Sequence, residues 1–116
     1  MKHGFPPCFR LRTKADFGAL RRGRRFTMGG LRFVYTPNRA SHARLGLAVS
    51  RRYGNAVRRN RLKRQLRAFF RQSPMRELEV DILVTPVTDW TRMENVYSDM
   101  HRGLERIMRR LQREAS

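Results

Sequence analysis

The distribution of charge along the chain limits its possible folds more than any other feature. Residues 17–76 have 17 lysine and arginine side chains and no aspartate or glutamate, whereas residues 77–116 have six basic and eight acidic side chains. Repulsion among like charges destabilises a compact state, so these basic side chains must point outward toward a partner of opposite charge. The pattern predicts a face that binds a polyanion, with nucleic acid favoured over an anionic membrane surface.

Length and cysteine content indicate the class of protein. The 116 residues are enough for one domain, and 40% of them are hydrophobic, as in a folded chain. We expect a single RNA-binding domain over 1–116, in which residues 1–9 form a flexible tail. We expect neither a membrane span nor a secretory signal, which predicts a cytoplasmic protein. Cys8 is the only cysteine, so an intrachain disulfide and a multi-cysteine zinc site are excluded.

Hydrophobic spacing predicts the order helix, two or three strands, helix, strand, helix. Alternation of apolar side chains places Leu31, Phe33 and Tyr35 on one side of a strand. The predicted strands are 24–29, 31–36, 44–50 and 80–85. Capping residues and helical spacing predict three helices. The first, at about 14–22, is opened by Thr13 and Asp16 and stopped by Gly23. The second runs from Asn55 to Ser73, and the third, at about 91–112, is capped by Asp89 or Thr91.

The second predicted helix is amphipathic. Its apolar stripe, which is wide enough to pack against a sheet, consists of Leu62, Leu66, Phe69 and Phe70. The opposite side is basic, and no acidic residue lies three or four positions away to neutralise it. Because a guanidinium group donates two parallel hydrogen bonds to a phosphate, this side is predicted to bind a nucleic-acid backbone. Asn60, within this side, has two open interpretations: a contact to a sugar or base, or an ordinary exposed side chain.

The segment GLAVSRRYGNAVRRNRLKRQLRAFFR resembles the signature of the protein subunit of bacterial ribonuclease P. In that family a strand that ends in Val-Ser and two basic residues leads through Gly-Asn-Ala-Val into an Arg-Asn-Arg helix. Weaker similarity extends over about residues 10–112. The resemblance and the basic face of the helix together give the candidate RNA-binding residues, which are Arg51, Arg52, Asn55, Arg58, Arg59, Asn60, Arg61, Lys63, Arg64, Arg67 and Arg71.

The resemblance also implies a fold and a function. The expected fold is an α/β (α+β) two-layer sandwich in the order α-β-β-β-α-β-α, with a four-stranded sheet and a left-handed βαβ crossover, ribosomal S5 domain 2-like. The expected function is to assist a catalytic RNA in removing the 5′ leader of precursor tRNA. The implied partners are catalytic ribonuclease P RNA and precursor tRNA, with the chain as a monomer in the complex. Mg²⁺ would be bound by the RNA, and the protein itself would supply no catalytic residue, metal site or cofactor.

In the family, a cleft between the first helix and the sheet holds the single-stranded leader. Aromatic rings beside arginines can stack on unpaired bases, and Tyr35, with its polar hydroxyl, is the most favoured candidate for this role. Between Phe17 and Gly23 this chain is one residue shorter than the usual family spacing. The candidate cleft residues are Phe17, Leu20, Phe33 and Tyr35, all of which have an alternative interpretation as core.

Two other functions remain open at this stage. A structural RNA-binding protein of the ribosomal type would explain the charge and size but not the signature. A stand-alone nuclease needs two acid–base groups close together or a cluster of carboxylates for metal ions. His3, His42 and His101 lie in unrelated segments, and the acids of residues 77–116 are spread singly. The sequence therefore disfavours catalysis by the protein alone.

Overall fold

The computed structural model describes residues 18–115, which form a four-stranded sheet and two long helices. Short 3₁₀ turns at Leu20–Arg22 and Pro74–Glu77 precede β1 and β4 respectively. The strands are β1 (Arg24–Met28), β2 (Leu31–Pro37), β3 (Arg44–Leu47) and β4 (Val80–Pro86). The helices, called the basic helix and the C-terminal helix below, are Ala56–Gln72 and Val96–Ala115. From β1 onward this order agrees with the one predicted from hydrophobic spacing.

The sheet is mixed and has the strand order β1-β2-β4-β3. β1 and β2 form an antiparallel hairpin, β2 is antiparallel to β4, and β3 runs parallel to β4. The hairpin turn contains Gly29 at a φ of 59°, a left-handed conformation that favours glycine. The basic helix connects the two parallel strands, which makes β3, the basic helix and β4 the expected βαβ crossover. Its left-handed sense stays a prediction.

β2 shows how the sheet separates two environments. On the face toward the two helices, alternate β2 side chains enter the main core together with Leu66 and Ile107. Val34 points to the other face, where it packs against Leu20 and Leu83. The β2 residues on the helix side, each at most 1% exposed, are Leu31, Phe33 and Tyr35. The alternation predicted from the sequence is therefore confirmed.

The ends of the basic helix are those that the capping residues predict. The side chain of Asn55 accepts a hydrogen bond from the backbone N–H of Arg58 at 2.9 Å, which satisfies one of the free donors of the first turn. Ser73 ends the helix, and its backbone N–H donates to the carbonyl of Phe70 at 3.0 Å. The apolar stripe packs on the sheet through its buried residues Leu62, Leu66 and Phe70.

The predicted start of the C-terminal helix is wrong. The helix begins at Val96 rather than near residue 91, because Asn95 is the residue that caps it. The side chain of Asn95 accepts from the backbone N–H of Ser98 at 2.9 Å. Asp89 instead accepts from the N–H of Thr91 in a turn before the helix. The predicted apolar side does face the core, with Met100, Leu104 and Ile107 buried.

Several predictions concern the N-terminal region. The tail at 1–9, Cys8 and the residues proposed to open the first helix lie outside the described residues. Within the described part, Gly18 and Ala19 are helical and continue into the turn Leu20–Arg22, which ends at Gly23 as predicted.

Candidate RNA interface

The basic helix presents an exposed ridge, defined here as Val57, Asn60, Arg61 and Arg64. These residues follow one another at helical spacing, and all four are exposed. Within the described part of the chain, Arg61 and Arg64 have no carboxylate partner. The other predicted residues of this helix are half-buried at its flanks, namely Arg58, Arg59, Lys63, Arg67 and Arg71. The charge of the ridge is therefore available to a partner.

Among residues 18–115, the acidic side chains that pair with arginines do so away from the ridge. Asp81 and Asp99 are buried and have hydrogen-bond donors from the sheet or its hairpin. Glu105 pairs with an arginine one turn further along the C-terminal helix. The ion pairs are Asp81–Arg44, Asp99–Arg102, Glu105–Arg109 and Glu114–Arg24. Four of the eight acids of residues 77–116 thus pair with arginines that are not on the ridge.

The loop before the basic helix adds further positive charge. Arg51 and Arg52 are exposed, as an RNA-binding role requires. Asn55 is also exposed, but its side-chain oxygen accepts the N–H of Arg58, so its first role is to cap the helix. Arg51 and Arg52 therefore add exposed positive charge close to the start of the basic helix.

A pocket of about 500 Å³ lies between this loop and the segment after β4. Three arginines line it together with hydroxyl side chains and one carboxylate, that of Asp89, so the basic groups outnumber the acidic one and the lining suits a phosphate group. Burial raises the pKa of Tyr53, which also lines the pocket, so its phenol stays neutral at physiological pH. The three arginines are Arg32, Arg52 and Arg92. Sequence reasoning missed Arg32 and Arg92; the outward position of Arg32 in the β2 alternation is the one signal that could have found it.

The predicted cleft residues do not come together. Phe33 and Tyr35 are 0% and 1% exposed and lie under the C-terminal helix, so they belong to the core and cannot line an open cleft. The ring of Phe33 stacks on Phe26 with centroids 5.2 Å apart. Leu20 is buried on the opposite face of the sheet, because successive β2 side chains alternate between faces. Phe17 lies outside the described residues.

The buried position of Tyr35 predicts a small effect of removing its hydroxyl. Its hydroxyl is 3.5 Å from Nη1 of Arg110, a long hydrogen bond in a partly buried place. Tyr35→Phe should therefore lower the free energy of unfolding by less than about 1 kcal/mol. It should leave the preference for leader-bearing tRNA over mature tRNA unchanged, as measured by the ratio of the two dissociation constants. A loss of that preference would indicate that the hydroxyl of Tyr35 contacts the leader.

Comparison with known proteins identifies the family. The Ribonuclease P family profile matches residues 5–112. The chain belongs to the ribonuclease P protein family. The ribonuclease P protein component of Staphylococcus epidermidis is 35% identical over 91 residues, which are 74% of this chain and 79% of that protein. That of Syntrophobacter fumaroxidans is 41% identical over 73 residues, which are 62% of this chain but only 61% of the relative, less than two thirds of its length.

Solved structures of ribonuclease P proteins share the fold. The protein from Staphylococcus aureus is 26% identical, with a TM-score of 0.73 over 84% of this chain and 93% of that one. The protein from Thermotoga maritima is 28% identical, with a TM-score of 0.69 over 86% of this chain and 96% of that one. These similarities confirm the predicted α+β fold with its four-stranded mixed sheet.

The described histidines of this ribonuclease P family chain are engaged in separate parts of the molecule. Nδ1 of His42 lies 3.2 Å from the carbonyl oxygen of Ala43, in the loop between β2 and β3. His101, on the C-terminal helix, contacts the ring of Phe69 edge-on, with centroids 6.2 Å apart. Between residues 18 and 115, no group of three or more His, Cys, Asp or Glu side chains could hold a metal ion. Over the same range, no helix combines the length and apolar character needed to cross a membrane.

Proposed function

We propose that this chain is the protein component of a ribonuclease P ribonucleoprotein, an endoribonuclease that removes the 5′ leader of precursor tRNA. The observation that carries the proposal is the exposed ridge of the basic helix, which has the family signature and no covering acids among the described residues. In this role the chain binds the catalytic RNA and the precursor. A cytoplasmic location and a monomeric state in the complex belong to the same proposal.

The ridge and the arginine-lined pocket act on RNA phosphates. Arg61 and Arg64 project from a helix whose other side is packed in the core, so the backbone that carries them need not become ordered when RNA binds. Neutralising phosphates releases condensed counterions and makes binding strongly dependent on salt. The same charge reduces the repulsion between two RNAs that must come together, the catalyst and its substrate.

The chemical step is proposed to reside in the RNA. Asp81 and Asp99, the buried carboxylates of the described chain, are held by Arg44 and by the backbone N–H of Gly30, so neither is available as a metal ligand or a base. Within the described part of the chain, no cluster of His, Cys, Asp or Glu side chains fits a metal site. Mg²⁺ bound by the RNA would supply the hydrolytic chemistry, and the protein positions the substrate.

Discrimination between precursor and product is proposed to come from contacts to the leader. On the face of the sheet away from the two long helices, Arg25 and Arg32 are exposed on neighbouring positions of β1 and β2. Basic side chains that line a surface can follow the phosphate backbone of a single strand of RNA. Because mature tRNA lacks the leader, contacts of this kind favour binding of the precursor over the product.

A cleavage assay tests the proposal against its two rivals. Precursor tRNA is incubated at low Mg²⁺ with the protein alone, with a bacterial ribonuclease P RNA alone, and with both. Cleavage that the protein enhances only in the presence of the RNA supports the proposal. Cleavage by the protein alone would indicate a stand-alone nuclease. Protein that binds the RNA without enhancing its cleavage would indicate a structural RNA-binding protein.

The contribution of the ridge to RNA binding can be measured by removing one of its arginines. Arg64→Ala should weaken binding to the catalytic RNA and reduce the slope of log K against log salt by about 0.7–0.9, the value for one lost phosphate contact. Arg76→Ala is the matched control, because Arg76 is an exposed arginine outside the ridge and its loss removes the same charge. Binding is measured at several salt concentrations. Equal salt slopes for Arg64→Ala and the unmodified chain would show that Arg64 does not contact an RNA phosphate.

A further inference from the structure

Trp90 is an exposed aromatic side chain to which the proposed function assigns no role. It is the only tryptophan of the chain, it lies between β4 and the C-terminal helix, and it is 41% exposed. The guanidinium carbon of Arg58 lies 3.5 Å from the centre of its ring, which is the distance of a cation–π stack. Arg58 belongs to the first turn of the basic helix, 32 positions earlier in the chain. The fold therefore brings an aromatic plane to the start of the basic helix.

The Trp90 ring is held in place on several sides. Its backbone N–H donates to the carbonyl of Tyr53 at 2.9 Å, which ties this segment to the loop before the basic helix. The ring also packs so closely on Gly54 that a Cβ there would lie 2.9 Å from Cδ1 of Trp90. The preceding Asp89 accepts hydrogen bonds from the N–H and hydroxyl of Thr91, and these bonds hold the pKa of Asp89 below its usual range. A fixed ring loses little conformational entropy when a ligand binds.

The surroundings of the Trp90–Arg58 stack are those of the proposed RNA surface. Val57, which begins the exposed ridge, is the chain neighbour of Arg58 and is 75% exposed. Arg52 lies in the loop that leads to Ala56, where the basic helix begins, and is also exposed. An aromatic or guanidinium plane that is flanked by arginines accepts an unpaired base by stacking, while the arginines contact its phosphates. An apolar protein partner would not account for the basic side chains around the ring.

We propose that Trp90 and Arg58 form a stacking site for one unpaired nucleobase of the RNA bound by the basic helix. This inference rests on the proposed function, because it places the base in an RNA already held by the ridge. The base belongs to the catalytic RNA or to the leader of the precursor; both have the same chemistry at this site, an unpaired base between two phosphates.

The fluorescence of Trp90 tests this site directly, because no other tryptophan contributes to the signal. The full chain is titrated separately with a bacterial ribonuclease P RNA, with precursor tRNA and with mature tRNA, while anisotropy of labelled RNA measures binding independently. Quenching by the catalytic RNA supports a base from that RNA, and quenching by precursor but not by mature tRNA supports a base from the leader. Binding to both RNAs without quenching would overturn the stacking site and leave the proposed function intact. Failure to bind either RNA would overturn both.

Variants separate stacking from charge. Trp90→Leu should weaken binding to the quenching RNA by about 5- to 150-fold, the range for one stacked base, and Trp90→Phe should recover much of this loss. The salt slope should not change, because no phosphate contact is removed. Tyr97→Leu is the control, since Tyr97 is 49% exposed on the C-terminal helix and packs beside Phe69 rather than beside an arginine. Unchanged affinity of Trp90→Leu, or an altered salt slope, would contradict the proposal.

Discussion

Asp81→Ala should lower the free energy of unfolding by about 3–5 kcal/mol, the cost of removing one partner from a buried charge pair. Asp81 is 2% exposed and accepts two hydrogen bonds from Arg44, at 2.9 Å from Nε and 2.8 Å from Nη2. The side-chain amide of Asn38 donates a third at 2.7 Å. Alanine would leave a half-buried guanidinium group without this carboxylate and an amide without its acceptor. Unfolding in urea measures the loss.

Asp81 also connects structure to the proposed function. Arg44 and Asp81 face each other in the register of the parallel strands β3 and β4, which the basic helix joins. The pair therefore stabilises the unit that positions the ridge. Glu79→Ala is the matched control, because Glu79 is an exposed acid two positions earlier and should change stability by less than about 0.5 kcal/mol. Equal losses for the two variants would show that solvent screens the Asp81 pair.

Local signals explain why much of the fold was predictable. The strand β2 repeats apolar side chains at every second position, and the basic helix has its cap and its stop written into neighbouring residues, Asn55 and Ser73. Each of these signals depends on residues that are close together in the sequence, so it can be recognised without knowledge of the tertiary structure. The exposure of Asn60 and Arg64 was predictable for the same reason, since the apolar stripe of the helix determines which side faces outward. Arg67 and Arg71, which helical spacing places on the same side, are half-buried instead.

The errors arise where the sequence offers equivalent choices. Asp89, Thr91 and Asn95 all have side chains that can cap a helix, and only the packing of the segment on the loop before the basic helix selects Asn95. Alternation likewise sorts β2 into two sides without indicating which side meets the helices. The hydroxyl of Tyr35 suggested exposure, yet its ring lies beside Phe26 under the C-terminal helix.

Contacts between distant segments are the part that a sequence pattern could not supply. The stack of Arg58 on Trp90 joins the first turn of the basic helix to the segment after β4. The pocket arginines Arg32, Arg52 and Arg92 likewise come from three separate segments. No periodicity or motif in the sequence indicates either arrangement, because both depend on the strand order of the sheet.

Gly103→Ala should destabilise the protein by about 3 kcal/mol, although alanine is the better helix former. Gly103 is buried within the C-terminal helix, and a Cβ added there would overlap the ring of Phe33. The ring cannot move aside freely, since it is 0% exposed and stacks on Phe26. Overpacking of the core therefore outweighs the gain of up to about 1 kcal/mol in helix propensity. Thermal and urea unfolding measure the result.

Two further variants separate overpacking from helix propensity. Gly18→Ala is the matched control, because Gly18 is helical and a Cβ there would have nothing within 4 Å, so this change should be neutral or slightly stabilising. Phe33→Leu shortens the side chain that obstructs Gly103. If steric overlap is the cause, Gly103→Ala should cost less in the Phe33→Leu background than in the unmodified chain, with a coupling free energy of about 1–3 kcal/mol. Additive losses would show that the helix shifts away from the sheet instead of pressing on this ring.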